Sequence, residues 1–73
     1  MARIEIKSEI TGTVWQVKSQ PGDRVEEGDT LIVIESMKME IPVITEDVGT
    51  VKEILVGEKD AVAEGQVVAV IEG

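Results

Sequence analysis

The sequence predicts an all-β sandwich or barrel with pseudo-two-fold symmetry, and three features of the chain indicate it. Val and Ile supply most of the aliphatic residues, and their β-branched side chains favour strands. The apolar runs are short and are separated by turn residues about every eight to twelve positions, which is typical of sandwiches and barrels. The third feature is an internal repeat, in which residues 12–35 resemble residues 49–72.

The repeat aligns GTVWQVKSQPGDRVEEGDTLIVIE (12–35) with GTVKEILVGEKDAVAEGQVVAVIE (49–72) without a gap, and ten of the 24 positions are identical. Solenoids need three or more copies to bury their faces, so two copies favour a pseudo-two-fold body. A chain of 73 residues buries only about 60% of its unfolded surface. Residues 1–73 are therefore expected to form one domain.

Each copy is predicted to contain a strand, a turn, a short strand, a second turn and a final strand. Pro presets φ and Gly supplies positive φ, so both mark the turns. The turns of the first copy are QPGD (20–23) and EEGD (26–29), and those of the second are VGEKD (56–60) and AEGQ (63–66).

Two further strands are predicted outside the copies, RIEIK (3–7) and MEIPVIT (39–45). Pro42 cannot donate to a hydrogen-bond ladder, so it belongs at an edge or a bulge. The final strands of the copies, TLIVIE (30–35) and QVVAVIE (66–72), are too short and too branched for ordinary helices. Eight short strands result.

The seam between the copies reads ESMKMEI (35–41). One strand ends at Glu35 and the next leads through Ile41, so SMKM is predicted to be a hairpin tip. This tip lacks the Asn-Gly or Asp-Gly that a two-residue turn prefers, and such a misfit is where a functional demand is expected. Under the pseudo-two-fold, Lys38 is predicted to lie at the opposite end of the molecule from the chain termini.

The composition excludes several functions. Cys and His are absent, which removes thiolate nucleophiles, the usual zinc ligands and the common general base, and so argues against a self-contained hydrolase. VEEGD lacks the ligand pattern of a calcium loop, and no metal site is predicted. The formal charge of −8 disfavours nucleic acid and anionic membranes. Because the first residues resemble neither a signal sequence nor a membrane span, cytoplasmic residence is the default expectation.

Two segments resemble biotinyl domains, the biotin carboxyl carrier modules of biotin-dependent carboxylases. The family's hallmark is Met-Lys-Met on an exposed β-turn, with a Glu before it and a Gly further on, as in ESMKMEIPVITEDVGTV. The flanking PGDRVEEGDTL resembles the family's Gly-Asp-x-Val-x-x-Gly-x-x-Leu run. The matching residues are Glu35, Met37, Lys38, Met39 and Gly49 in the first segment and Gly22, Asp23, Val25, Gly28 and Leu31 in the second.

The resemblance implies a flattened barrel of two four-stranded antiparallel sheets, a barrel-sandwich hybrid, that acts as a non-catalytic carrier. It implies that a biotin protein ligase recognises Met37 and Met39 and biotinylates Lys38. The covalent biotin then carries a carboxyl group between a biotin carboxylase and a carboxyltransferase. The isolated domain is expected to be a monomer. The residues that flank the attachment site are Glu35, Ser36 and Glu40.

The chain departs from the family pattern at several points. Ser36 replaces the usual Ala, which is a small-for-small change. No thumb segment interrupts the first copy, so the chain resembles a stand-alone, thumbless module. Lys59 occupies the position that matches Gly22, so its turn is expected to have a different shape. Trp15, whose repeat mate is Lys52, is expected to be a partly buried strand residue.

Two other functions stay open. Lipoyl domains resemble biotinyl domains in fold and carry the same hairpin lysine, but they usually lack the paired methionines, so Met37 and Met39 favour biotin. Attachment of lipoate to Lys38 by a lipoyl ligase, alone or in addition to biotin, is the alternative. A remote alternative is an unmodified adaptor module, against which the intact Lys38 argues.

Overall fold

The computed structural model describes residues 3–73, which form eight β-strands and no helix. All strand pairs are antiparallel, and the all-β prediction is confirmed. The strands are β1 (Arg3–Lys7), β2 (Gly12–Val17), β3 (Arg24–Val25), β4 (Thr30–Ser36), β5 (Met39–Ile44), β6 (Gly49–Ile54), β7 (Ala61–Val62) and β8 (Val67–Glu72).

The strands form two four-stranded sheets, in the orders β1-β8-β6-β3 and β5-β4-β2-β7. Each sheet combines strands of both copies, because β3 of the first copy pairs with β6 and β7 of the second copy pairs with β2. This exchange locks the two copies into one body. Pro42 lies on β5, an edge strand, as its missing N–H predicts.

Aliphatic side chains from both sheets fill the interior. The interior strands β4 and β8 contribute two runs of consecutive buried residues, Leu31–Ile34 and Val68–Ile71. The repeat mates Val14 and Val51 are buried beside them. Each fully buried Leu, Ile or Val stabilises the fold by about 1.5–3 kcal/mol relative to exposure. These runs fix the position of β4 and of the hairpin that follows it.

The turns at residues 20–23 and 57–60 have the same hydrogen bonds. In each, the carboxylate of the last residue accepts from the backbone N–H of the first, at 2.9 and 2.7 Å. The backbone N–H of the last residue donates to the carbonyl of the first, at 3.0 and 3.1 Å. Lys59 has a φ of 75° where Gly22 has 96°. The expectation that Lys59 changes the turn is therefore wrong, because these bonds hold its backbone in the left-handed conformation despite the Cβ.

The structural duplication begins earlier than the aligned copies. Ser8 Oγ donates to Ile10 O at 2.6 Å and accepts from Ile10 N at 3.3 Å. Thr45 Oγ1 makes the same two bonds with Asp47, at 3.0 and 3.1 Å. Both hydroxyl side chains are buried, so these bonds satisfy groups whose burial would otherwise be costly. The segments before Gly12 and before Gly49 are therefore structural mates as well.

Gly12 and Gly49 lie where neighbouring strands approach most closely. A Cβ on Gly12 would stand 2.6 Å from Glu35 O and 2.8 Å from Ile34 Cγ2. A Cβ on Gly49 would stand 2.6 Å from Glu72 O. Glycine has no Cβ and so tolerates such an approach. Gly12 thereby lets β2 pack against the base of the hairpin.

Candidate functional site

Strands β4 and β5 form a hairpin whose loop is Met37 and Lys38. Ser36 pairs with Met39, so the loop contains two residues, and the prediction of a tip at SMKM is confirmed. The φ angles are 52° at Met37 and 66° at Lys38. Positive φ at both central positions is the signature of a type I′ turn, whose twist matches that of the flanking strands.

This backbone conformation is unfavourable for Met37 and Lys38. A residue with a Cβ is crowded in the left-handed region, at a cost of about 1 kcal/mol or more per residue. Asn-Gly would form the same turn with less strain. Strained residues of this kind cluster at functional sites. The hairpin tip is therefore the first place to look for function.

The side chains of the tip project into solvent. Met37 is 92% exposed and Met39 is 63% exposed, and Lys38 is exposed between them. Within residues 3–73, the Lys38 side chain makes no hydrogen bond and no ion pair. The ion pair found in this range joins Lys52 and Glu72 at 3.3 Å. The ammonium group of Lys38 is therefore accessible to another protein.

The flanking residues complete the end of the hairpin. Glu35 and Glu40 are exposed and pair across β4 and β5, so two carboxylates repel one another below the loop. Ser36 is half-buried beside Gly12. The structure thus brings all six predicted site residues together, and these are Glu35, Ser36, Met37, Lys38, Met39 and Glu40.

The hairpin tip and the ends of the described chain lie at opposite ends of the molecule, which measures 36 × 18 × 17 Å. Gly12 begins β2 next to Ser36 of the hairpin, and β2 leads away from it, antiparallel to β4. The turn that follows donates a backbone N–H to Val51 O on β6 at 2.8 Å. Close to Val51 in the same sheet, Arg3 pairs with Glu72. The path of the chain agrees with the prediction.

A shallow pocket lies beside the hairpin on the outer face of β2 and β4. Trp15 occupies the bulge where the register of these strands shifts, and its side chain is 43% exposed. No sequence pattern indicated that Trp15 and Lys59 share a pocket with Glu35, because the bulge and the crossing of β7 to β2 bring them together. The pocket, which we call the Trp15 pocket, is lined by Thr13, Val14, Trp15, Glu35, Glu58 and Lys59.

Other kinds of site are not seen in the part of the chain that the structure describes. Residues 3–73 contain no cluster of three or more His, Cys, Asp or Glu side chains that could hold a metal ion. Nor does that range include a helix with the length and apolarity to cross a membrane. Within residues 3–73, the exposed hairpin lysine is therefore the candidate site.

The comparison with protein families supports this choice. The family described as "Biotin-requiring enzyme", the biotin/lipoyl family, matches residues 4–71. The chain belongs to the biotin/lipoyl attachment family. The biotin/lipoyl attachment protein of Bacillus subtilis is 40% identical over 62 residues, which are 85% of each chain. The biotinylated protein TB7.3 homolog of Mycobacterium leprae is 39% identical over 67 residues, 92% of this chain and 94% of the relative.

Part of a solved carboxylase structure and a solved lipoyl domain match the fold. The chain matches the urea carboxylase of Kluyveromyces lactis with a TM-score of 0.93 and 40% identity, covering 99% of this chain and 6% of that one. It matches the lipoyl domain of the 2-oxoglutarate dehydrogenase complex of Azotobacter vinelandii with a TM-score of 0.79 and 28% identity, covering 96% of each chain. The protein is therefore a biotin/lipoyl carrier domain, and family likeness leaves the choice of cofactor open.

Proposed function

We propose that this protein is a carboxyl carrier that bears covalent biotin on Lys38. The observation that carries the proposal is the tip of the β4–β5 hairpin. There Lys38 lies in a strained turn between two exposed methionines, and its side chain has no partner among residues 3–73. Below it, β4 is buried from Leu31 to Ile34, which holds the hairpin in place. This geometry distinguishes one amine from the other lysines of the chain.

The residues of the tip fit a group attached through an amide bond. No residue between 3 and 73 pairs with the Lys38 side chain, and Met37 and Met39 offer flexible apolar surface that a modifying enzyme can cover. Lys38 Nζ must lose a proton before it attacks an activated carboxyl carbon, and the chain has no histidine to accept it. A biotin protein ligase supplies the base and the activated biotin, biotinyl-adenylate, from which AMP leaves as the amide bond forms.

When bound, biotin supplies a ureido nitrogen that can carry a carboxyl group. The role of this chain is to present it: the hairpin holds Lys38 away from the body, and the core keeps the hairpin rigid. The formal charge of −8 favours solubility. The proposed partners are a biotin carboxylase and a carboxyltransferase. The likeness to the urea carboxylase and to the biotinylated TB7.3 homolog supports this assignment.

Lipoate on Lys38, attached by a lipoyl ligase, is the second candidate. The likeness to the Azotobacter vinelandii lipoyl domain over 96% of both chains favours it, as does the name of the Bacillus subtilis relative, which includes both cofactors. The paired methionines Met37 and Met39 favour biotin, because lipoyl domains usually lack them.

Intact-mass spectrometry of protein from cells that contain both vitamins and both ligases tests the proposal. We expect one biotinyl group per chain, and peptide fragmentation should place it on Lys38. A lipoyl group alone would establish the second candidate. A chain that acquires neither group is not a carrier in these cells, and that result would overturn the proposal.

Two variants test the attachment site. Lys38→Arg keeps the positive charge but offers no acylatable amine, so we expect it to remain unmodified. Lys52→Arg is the matched control, because Lys52 lies on strand β6 and its side chain is 50% exposed. It should be modified like the wild type. Biotin on Lys38→Arg would overturn the site assignment.

A further inference from the structure

The residues of the Trp15 pocket have repeat mates at the other end of the molecule, and this counterpart differs from the pocket in charge pairing. At the counterpart, Lys52 stands where the pocket has Trp15, and it pairs with Glu72 at 3.3 Å. Glu72 is the repeat mate of Glu35. In the pocket, an indole replaces the lysine, and Glu35 has no ion-pair partner among residues 3–73.

Lys59 is the second difference. Its repeat mate is Gly22, which suits the left-handed φ of this turn, whereas Lys59 adopts a φ of 75° with a Cβ present. Folding alone favours glycine at this position. Lys59 nevertheless lines the pocket, and its side chain forms no ion pair with Glu35 or Glu58 within the described residues. Backbone strain is often found at functional sites, so the strained backbone of Lys59 indicates a functional role for this residue.

We infer that the Trp15 pocket is a docking site for the ureido ring of biotin carried on Lys38 of the same chain. This inference rests on the proposed function. The indole of Trp15 offers a flat apolar face for the fused rings. The Glu35 carboxylate accepts hydrogen bonds from ureido N–H groups, and the Lys59 ammonium donates to the ureido carbonyl. The unpaired charges of the pocket complement the ring's donors and acceptor.

The arm on Lys38 is long enough to reach the pocket. Trp15 lies level with Ile34 along the strands, and at about 3.3 Å per residue Ile34 is about 10 Å from the hairpin tip. Across the sheet, Trp15 is displaced from the hairpin by one to two strand spacings, about 5–10 Å. The separation is therefore about 11–14 Å. A biotinyl-lysine side chain has about ten rotatable bonds and reaches roughly 12–15 Å from Cα at bond lengths near 1.5 Å.

The pocket also discriminates between the two cofactors. The ureido group has two N–H donors and a carbonyl acceptor, which match Glu35 and Lys59. The dithiolane of lipoate has neither, so it can meet the indole of Trp15 only through its apolar surface. Docking should therefore be stronger for the biotinylated chain than for a lipoylated one.

The fluorescence of Trp15, which is the single aromatic residue of the chain, reports docking directly. We compare unmodified, biotinylated and lipoylated protein, each verified by mass, and measure quenching of Trp15 by acrylamide. A ring stacked on an aromatic face typically gives a ratio of docked to free biotin of roughly two to ten. Because docked biotin shields Trp15 from acrylamide, the quenching constant of the biotinylated form should fall by about twofold or more. The lipoylated form should change less.

Variants assign the effect to the pocket. Lys59→Gly introduces the glycine found at the mate position, and it should restore most of the quenching in biotinylated protein. Glu35→Ala, which removes the hydrogen-bond acceptor, should do the same. Lys52→Ala, at the counterpart end, is the control and should leave the protection unchanged. Equal quenching of the biotinylated and unmodified forms would overturn the docking site while leaving the carrier function intact. Absence of biotin in the mass spectrum would instead overturn the proposed function.

Discussion

Gly12→Ala tests the close approach of β2 to the base of the hairpin. The added Cβ would meet Glu35 O at 2.6 Å and Ile34 Cγ2 at 2.8 Å, where ordinary contacts begin at 3.4 Å. Glu35 O is a backbone atom of β4, so it cannot rotate away as the end of a long side chain could. Relief requires β2 or β4 to shift, and β4 is fixed by its buried run.

Gly12→Ala is expected to remove a large share of the free energy of unfolding. Overpacking costs about 1–3 kcal/mol and occasionally more, and a backbone contact this short places Gly12→Ala at about 2–4 kcal/mol. At about 0.05–0.15 kcal/mol per residue, a chain of this length has a free energy of unfolding of about 4–11 kcal/mol. The variant should therefore retain a free energy of unfolding of about 0–9 kcal/mol.

Equilibrium unfolding in urea, followed by circular dichroism and Trp15 fluorescence, measures the cost. With a urea dependence of about 1 kcal/mol per molar, the midpoint should fall by about 2 M or more. Gly57→Ala is the matched control, because its Cβ would lie 3.8 Å from Asp60 Oδ2, an ordinary contact distance, and the φ of Gly57 is not left-handed. It should be neutral or stabilising by about 0.5 kcal/mol. Equal midpoints for the two variants would refute the argument.

Three further variants test the fold by the same unfolding measurement. Lys59→Gly relieves about 1–2 kcal/mol of left-handed strain and adds about 0.5–1 kcal/mol of chain entropy cost, so a net gain of about 0–1.5 kcal/mol is expected and a loss would contradict the strain. Leu31→Ala should cost about 2–5 kcal/mol, and a cost under about 1 kcal/mol would contradict its complete burial. Lys52→Ala removes an exposed ion pair with Glu72 and should cost less than about 1 kcal/mol; a larger loss would show that this pair is more than a surface contact.

The architecture could be predicted because the turn residues and short apolar runs that indicate it are local in sequence and occur in both copies of the repeat. The turns at 20–23 and 57–60 carry residues whose φ preferences mark where strands stop, and the offset of 37 residues predicts the two-fold relation. The hairpin followed from the seam of the repeat, and its two-residue loop at Met37 and Lys38 agrees with it. The same reasoning predicted that Pro42 lies on an edge strand or at a bulge.

The sequence-based predictions missed features that depend on hydrogen bonding rather than on residue type. Lys59 differs chemically from Gly22, yet the turn keeps its shape because the carboxylate bond to the first residue holds it. Ser8 and Thr45 are mates that make the same bonds, while their neighbours Ile10 and Asp47 share no chemistry, so an identity-based alignment ended before them. Backbone geometry is conserved between the halves where side chains are not.

The Trp15 pocket escaped prediction for a different reason. Its residues come from β2, β4 and the turn before β7, which are distant along the chain. A bulge in β2 sets the direction of Trp15, and no residue pattern announces that bulge. Sequence reasoning placed Trp15 on a strand but could not show that Lys59 and Glu35 lie beside it.

The pseudo-two-fold provides an internal reference for separating the demands of folding from those of function. Both halves must satisfy the same close approaches and the same turns, so features shared by mates, such as Gly12 and Gly49, have a structural cause. The positive φ angles of non-glycine residues are all found at one end among the residues described, at the hairpin loop and at Lys59. The exposed indole lies at that end too. Because folding accounts for the other end without these costs, they are best explained by what the hairpin end must present and bind.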